Sequence, residues 1–180
     1  MRRGVILRAG LAGLLVLSGC RTEAERGTSE PREAAPTVAA ACPEGAPNLS
    51  GWDEAPARHA PIRLLVPRGA ARTDASGQDY SGEIWISDGA SIAYFVEPAR
   101  RGPASSSSNT EDHRTCSEAI GGKPTKLDIF YADQVYAPGQ YVIGSWSLPG
   151  GKELTVKAHA RDRRKVGELV TALRGVRFGS

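Results

Sequence analysis

Three cysteines and three histidines are the only thiols and imidazoles of the chain: Cys20, Cys42 and Cys116, and His59, His113 and His159. A thiol nucleophile needs a base within hydrogen-bond reach, and Cys116 with His113 or His59 is the pairing that would supply one. No family-specific local pattern surrounds that cysteine. The histidines are scattered, with no i, i+4 pair beside a carboxylate and no cysteine pair to complete a zinc site, so no metal ligand is expected. Gly89-Ala90-Ser91-Ile92-Ala93 lacks the second glycine of a nucleophile elbow, and a strand rather than a helix is expected there, which makes Ser91 a strand residue. Gly121-Gly122-Lys123 and Gly150-Gly151-Lys152 offer glycine and lysine to a phosphate. A phosphate loop also needs an earlier glycine at fixed spacing and Ser or Thr after the lysine, where Pro124 and Glu153 stand instead, so both read as turns between strands. Asp128 and Asp133 are two carboxylates without a defined cleft, which does not make a glycosidase. No catalytic residue and no cofactor is assigned.

Two stretches keep binding chemistry in view. Arg161, Arg163, Arg164 and Lys165 bring four bases to a helix start, where positive charge opposes the macrodipole and asks for compensation. Free helix amides beside them would form an anion site for a phosphate, a carboxylate or a lipid head group. The alternative is a solvated face partly neutralised by Asp162 and Glu168. Ala99 to His113, with Gly102-Pro103 and Ser105 to Ser108, reads as a long polar connection, either a binding element or slack. Trp52, Trp85 and Trp146 are candidates for an aromatic platform or for the core.

The elements that must position these residues are mostly strands. Ile62 to Pro67 is an apolar run with one Arg, as for a strand at a sheet centre. Glu83 to Ser87 alternates, with Ile84 and Ile86 on one face and Glu83, Trp85 and Ser87 on the other. The Asp88-Gly89 turn signal and the run Ser91 to Glu97 complete a hairpin. Lys126 to Tyr131 alternates as well, and Tyr141 to Leu148 and Glu153 to Ala160 form another hairpin across Pro149-Gly150-Gly151. The period then changes to 3.6. Val166, Leu169, Val170 and Leu173 share one helical face, Asp162 is placed to cap the start and Gly175 to close the end. Val176 to Phe178 follows as a short terminal strand. The expected fold class is α+β: an antiparallel β meander with a C-terminal amphipathic helix packed on one sheet face.

The amino end has a different character. Arg2, Arg3 and Arg8 precede the apolar run Ala9 to Leu17, which ends in Ser18-Gly19-Cys20 and is too short to span a bilayer. Leu17-Ser18-Gly19-Cys20 resembles the lipobox of a bacterial lipoprotein signal peptide. The resemblance implies a signal peptide over residues 1–19, diacylglycerol transfer to the Cys20 thiol, cleavage before it and acylation of the new amino end. Two or more acyl chains hold a protein stably to a membrane. Residues 20–41 carry the lipidated cysteine and a disordered tether with Val38 as its one large aliphatic, too poor in apolar groups to offset its ordering entropy. As a flexible coil it would hold the folded part about 25 Å from the anchor. Residues 42–180 make one globular domain.

Cleavage would also neutralise the chain. Three of its 23 basic residues are Arg2, Arg3 and Arg8, so 20 would remain against 20 acidic ones. Net charge then suggests no nucleic-acid partner. The lipoprotein resemblance implies export to an oxidising compartment, where Cys42 and Cys116 are left as an even pair and read as a disulfide. With Arg21 rather than Asp after the cysteine, sorting in a diderm envelope would place the protein at the outer membrane, facing the periplasm.

An antiparallel meander whose last hairpin feeds an amphipathic helix and a final Val-Arg-Phe strand resembles the PsbP-like sandwich of many small secreted proteins. The resemblance spans about Ile62 to Phe178 and rests on element order and on Cys116, Ile120-Gly121-Gly122, Tyr141 and Trp146. It implies a partner-binding or assembly role and carries no catalytic residue. The expectation is a membrane-anchored envelope lipoprotein with an envelope protein as partner and no enzymatic activity. The rival is an envelope hydrolase with a Ser or Cys site.

Overall fold

A computed structural model of the protein describes residues 41–99, 110–133 and 137–179. Residues 1–40, with Cys20 and nearly all of the tether, lie outside that set. Every described element falls within the unit Val38–Ser180.

The hairpins follow from turn chemistry. Strands β4 (Ser81–Ser87) and β5 (Ala90–Pro98) pair antiparallel across Asp88-Gly89. Strands β8 (Gly139–Leu148) and β9 (Lys152–Ala160) pair across Pro149-Gly150-Gly151. Gly121 and Gly122, at φ 58° and 75°, close β6 (Thr110–Ile120) onto β7 (Lys123–Ala132) in a turn that only residues tolerant of left-handed backbone adopt easily. Both Gly-Gly-Lys stretches are therefore turns between strands.

Among the described residues, ten strands form two antiparallel sheets. The larger has the order β3 (Ala71–Asp74), β4, β5, β9, β8, β7, β6; the smaller has β1 (Trp52–Pro56), β2 (Ile62–Pro67) and β10 (Arg177–Phe178), with β2 in the middle. The coarse α+β expectation is met: antiparallel sheets with one short C-terminal helix, α1 (Val166–Arg174), against a sheet face. The sheet is not one meander. Two meanders join where β5 pairs with β9, so the chain crosses from the centre of the sheet to its edge between β5 and β6. Strands β1, β3 and β6 carry too little apolar alternation to be anticipated. Strand β6 overturns part of the expected connection over 99–113, since Thr110 to His113 are already paired or bulged strand.

Helix α1 and strand β2 cover the same face of the large sheet. Leu169, Val170, Ala172 and Leu173 are buried there with Leu64, Ile92, Leu127, Val142, Trp146, Leu154 and Val156. Gly175 ends the helix at φ −73°, not in the left-handed conformation usual at that position. Glycine there leaves room for a neighbour instead: a Cβ would stand 2.3 Å from Leu65 Cδ1 and make that side chain shift.

The N-terminal segment straps the helix down. Gly167 O accepts from Ala46 N at 2.9 Å, and Thr171 Oγ1 donates to Ala46 O at 3.1 Å. Arg174 donates to Pro43 O at 3.1 Å and forks onto Glu118 of β6 at 2.9 and 2.7 Å. Cys42 and Cys116 form a disulfide across a separation of 74 residues, with Cα atoms 5.2 Å apart. The start of the described chain is thus bonded to the edge strand.

Register decides which face of β4 is covered. The short turn sets Trp85 opposite Ile92 and Glu83 opposite Tyr94, and these four point at the helix layer. Ile84 and Ile86 face the other way, where no second layer lies over them among the described residues, and Ile86 is 53% exposed. Glu83 is fully buried. The carboxylate accepts from Arg72 Nε at 2.7 Å and Nη2 at 2.8 Å, from the Tyr94 hydroxyl at 2.7 Å and from Arg58 N at 2.9 Å. Buried charge is tolerated only when its oxygens are satisfied in this way.

Candidate functional site

A cleft of about 510 Å³ opens beyond the start of the helix, lined by Asp112, His113, Arg114, Ile129, Gln140, Arg163 and Val166. A bulge in β6 builds it. Glu111 pairs with Tyr131 and Arg114 with Ile129, so Asp112 and His113 together oppose Phe130 alone. Residues three apart on a regular strand point to opposite faces; the extra residue brings Glu111 and Arg114 to the same, helix-side face. Asp112 absorbs the irregularity at φ 52°, the one non-glycine with positive φ among the described residues.

Arg163 is fixed at the rim. Its guanidinium lies 3.5 Å over the Tyr131 ring, donates to Glu111 at 2.5 Å and stands 3.6 Å from Asp112. On the cleft's inner side, Gln140 is buried and its Nε2 donates to Phe130 O at 3.0 Å and to Tyr141 O at 3.3 Å. Val166, half-buried, and Ile129, only 1% exposed, also border it. Arg114 is exposed and pairs with no described residue.

Of the four bases expected as an anion patch, Arg163 therefore joins the cleft and the others do not line it. They precede α1 in a single 3-10 turn, Arg163–Lys165, capped by Asp162, whose carboxylate accepts from Arg164 N at 3.0 Å. Arg164 donates its side chain to the same carboxylate at 2.9 Å, and Lys165 lies 3.5 Å from Glu168. Arg161 donates its backbone N–H to Gly89 O at 3.1 Å. The side-chain hydrogen bond from Arg164, then that from its backbone, lowers the Asp162 pKa. The compensation that four bases at a helix start require thus comes from Asp162, Glu168, Glu111 and Asp112.

The candidate nucleophiles have other roles. Cys116 has its sulfur in the disulfide, so the Cys–His pairing is ruled out for the oxidised chain. Ser91 lies on β5, as expected, with its Oγ 3.4 Å from His159 Nδ1. The far nitrogen of that ring faces the Pro138 carbonyl at 3.3 Å, in the place a triad gives to a carboxylate. Burial lowers the His159 pKa. His113 lies 3.5 Å from Asp128, and His59 3.3 Å from Asp74. Among the described residues no group of three His, Cys, Asp or Glu side chains is placed to hold a metal ion.

Rings line up on the uncovered face, but they are not a stacking platform. His113, Phe130, Tyr141 and His159 run across four strands at centroid spacings of 6.0, 5.3 and 4.6 Å, and Phe130 and Tyr141 stack on one another at 15°. Faces turned toward neighbouring rings are not offered to solvent. Trp52, Trp85 and Trp146 are all buried, so the tryptophans are core and form no exposed platform.

The cleft escaped sequence reasoning because Glu111, Asp112 and His113 fell within the polar connection read over Ala99 to His113, and nothing singled out Arg114. The usable signal begins only at Arg114, from which Cys116, Glu118 and Ile120 alternate toward the helix layer, and two of these four are charged. Gln140 and Arg163 come from other segments further along the chain. In comparison with known proteins, the chain matches no protein-family model, and no curated protein is significantly similar to it.

Proposed function

We propose that the protein is a lipid-anchored lipoprotein of the cell envelope, a non-enzymatic binding or assembly module, with the bulge-built cleft as its recognition site. The anchor is acylated Cys20, and in a diderm cell the domain faces the periplasm from the outer membrane, where an envelope protein is its partner. The PsbP-like likeness of the element order fits such a role. The observation that carries the reading is the rim of the cleft, where Arg163 is set by Glu111, Asp112 and the Tyr131 ring while Arg114 beside it has no partner among the described residues. Charged groups held in place at the rim of a cleft are what a site for a polar partner needs.

The test compares intact protein with Cys20→Ala, expressed in a bacterial host that processes lipoproteins. The wild type should partition into the detergent phase and bring envelope partners with it in a pull-down, and the variant should stay aqueous. Wild-type protein that remains aqueous would overturn the anchor.

The second reading, an envelope hydrolase, is favoured by one contact, Ser91 Oγ to His159 Nδ1 at 3.4 Å. Labelling of Ser91 by a fluorophosphonate, lost in Ser91→Ala, would support it over binding alone.

A further inference from the structure

Strands β5 and β6 run in the same direction. The sheet order places β9, β8 and β7 between them, and each neighbouring pair is antiparallel, so the direction is restored at β6. The chain leaves β5 at Ala99, beside the β8–β9 turn, where Ala99 N donates to Gly151 O at 2.8 Å. It enters β6 at Thr110, opposite Ala132, at the other end of the strands. These two points are about 33 Å apart along the strands and about 19 Å across them, roughly 38 Å on a flat sheet and about 30 Å on a twisted one. Residues 100–109 make the connection, and the chain from Ala99 to Thr110 reaches about 40 Å at most. A route along the end of the sheet and back up its β6 edge would need about 50 Å, so the connection has to cross a face.

Two observations choose the face. On one side α1 and β2 already pack on the sheet. Handedness chooses the other side independently. Arg161 N donates to Gly89 O at 3.1 Å, which with the Ala99 bond turns the backbone groups of Ser91, Ala93, Phe95 and Glu97 toward β9. Their side chains alternate with the buried Ile92 and Tyr94 and so point out of the open face. Seen from that face with β5 running upward, an L-chain directs such backbone groups to the right, which puts β9 and, beyond it, β6 to the right of β5. A crossover to a parallel strand on the right is right-handed only when it passes on the viewer's side, and right-handed crossovers are the rule.

We propose that residues 100–109 dock across the open face of the large sheet and cover its β9, β8 and β7 part. The path begins at Glu97 and Glu153, directly opposite one another on β5 and β9. Like charges facing across a ladder call for positive charge, and Arg100 and Arg101 open the crossing. It continues over Thr155, Ser145, Ile143 and Phe130. Thr155 is only 8% exposed although α1 and β2 lie on the opposite side of the sheet. Ile84 and Ile86, on the far side of β5, lie off this path.

Photo-cross-linking of the intact chain tests the placement. With p-benzoylphenylalanine in place of Ser106, mass spectrometry of the digest should find intramolecular cross-links to β7, β8 or β9. Cross-links confined to α1 or β2, or no intramolecular cross-link, overturn the proposal. Chain length gives a second readout. Deleting Ser105 to Ser108 removes about 14 Å of reach, too much even for the twisted span. That variant should melt at least about 10 °C below wild type or fail to fold. Three residues, Gly-Ser-Gly, inserted after Ser106 should change the melting temperature by less than about 3 °C, because extra length costs little. A deletion variant that melts like wild type, or an insertion as damaging as the deletion, overturns the crossing. If the deletion variant does not fold, the cross-link and the insertion decide.

Discussion

Tyr94 donates its hydroxyl to Glu83 at 2.7 Å, and both side chains are wholly out of water on adjacent strands. The same hydroxyl accepts from His59 N at 2.9 Å, while Glu83 accepts from Arg58 N and from Arg72. Residues 58 and 59 belong to the turn between β1 and β2, so this polar cluster ties the small sheet to the large one. Arg72 also lies 5.0 Å over the Trp85 ring, which shields one side of the ion pair.

Acid stability should follow Glu83. Burial pushes its pKa up most strongly, but the donors from Arg72, Arg58 and Tyr94 together outweigh burial and lower it from 4.5 to about 2. A carboxyl depressed in the folded state stabilises fully above its unfolded pKa, and the contribution is lost as pH falls from about 4.5 toward 2. The shift corresponds to about 3 kcal/mol at neutral pH. Denaturant melts at intervals between pH 7 and pH 2 should show that loss. In Glu83→Gln the neutral-pH stability should fall by about 3 kcal/mol, because Arg72 is left without its counter-charge, and the acid limb should flatten. An acid limb unchanged in the variant would assign it to other carboxyls.

Reduction should loosen the helix and the edge strand together. Closing a loop of 74 residues gives the Cys42–Cys116 bond a stabilisation of roughly 4 kcal/mol by chain entropy. Cys42→Ser with Cys116→Ser should therefore unfold at much lower denaturant than wild type. Hydrogen exchange should rise first at Ala46, whose N–H bonds to Gly167 O, and in β6. A uniform rise across all strands would contradict the strap.

Backbone strain at the bulge is testable at one residue. Asp112 holds φ 52°, a conformation that costs a residue with a Cβ roughly 1 kcal/mol and glycine almost nothing. Asp112→Gly should leave thermal stability equal or slightly raised, since the Arg163 contact it gives up is long and exposed. Asp112→Val should lower it by more than roughly 1 kcal/mol, as expected for a β-branched residue forced to positive φ. Equal melting of the two variants would mean the bulge relaxes without strain.

Local chemistry made much of the fold legible in the sequence. Asp88-Gly89, Gly121-Gly122 and Pro149-Gly150-Gly151 punctuate strands because turns depend on the residues within them. Val166, Leu169, Val170 and Leu173 announce a helix because its period is written into one segment. Tertiary structure alone decided the rest. Alternation divides β4 into an Ile84–Ile86 face and a Glu83–Trp85 face without saying which is covered; partner strands placed Tyr94 and Ile92 opposite Glu83 and Trp85, and Arg72 and the β1–β2 turn brought the donors that make Glu83 tolerable in the core. The cleft depended on a bulge that re-aims Arg114 and on Gln140 and Arg163 arriving from other elements. Sequence specifies what each segment prefers by itself; which face is covered, and which distant side chains share a cleft, is set by the pairing of strands that no single segment contains.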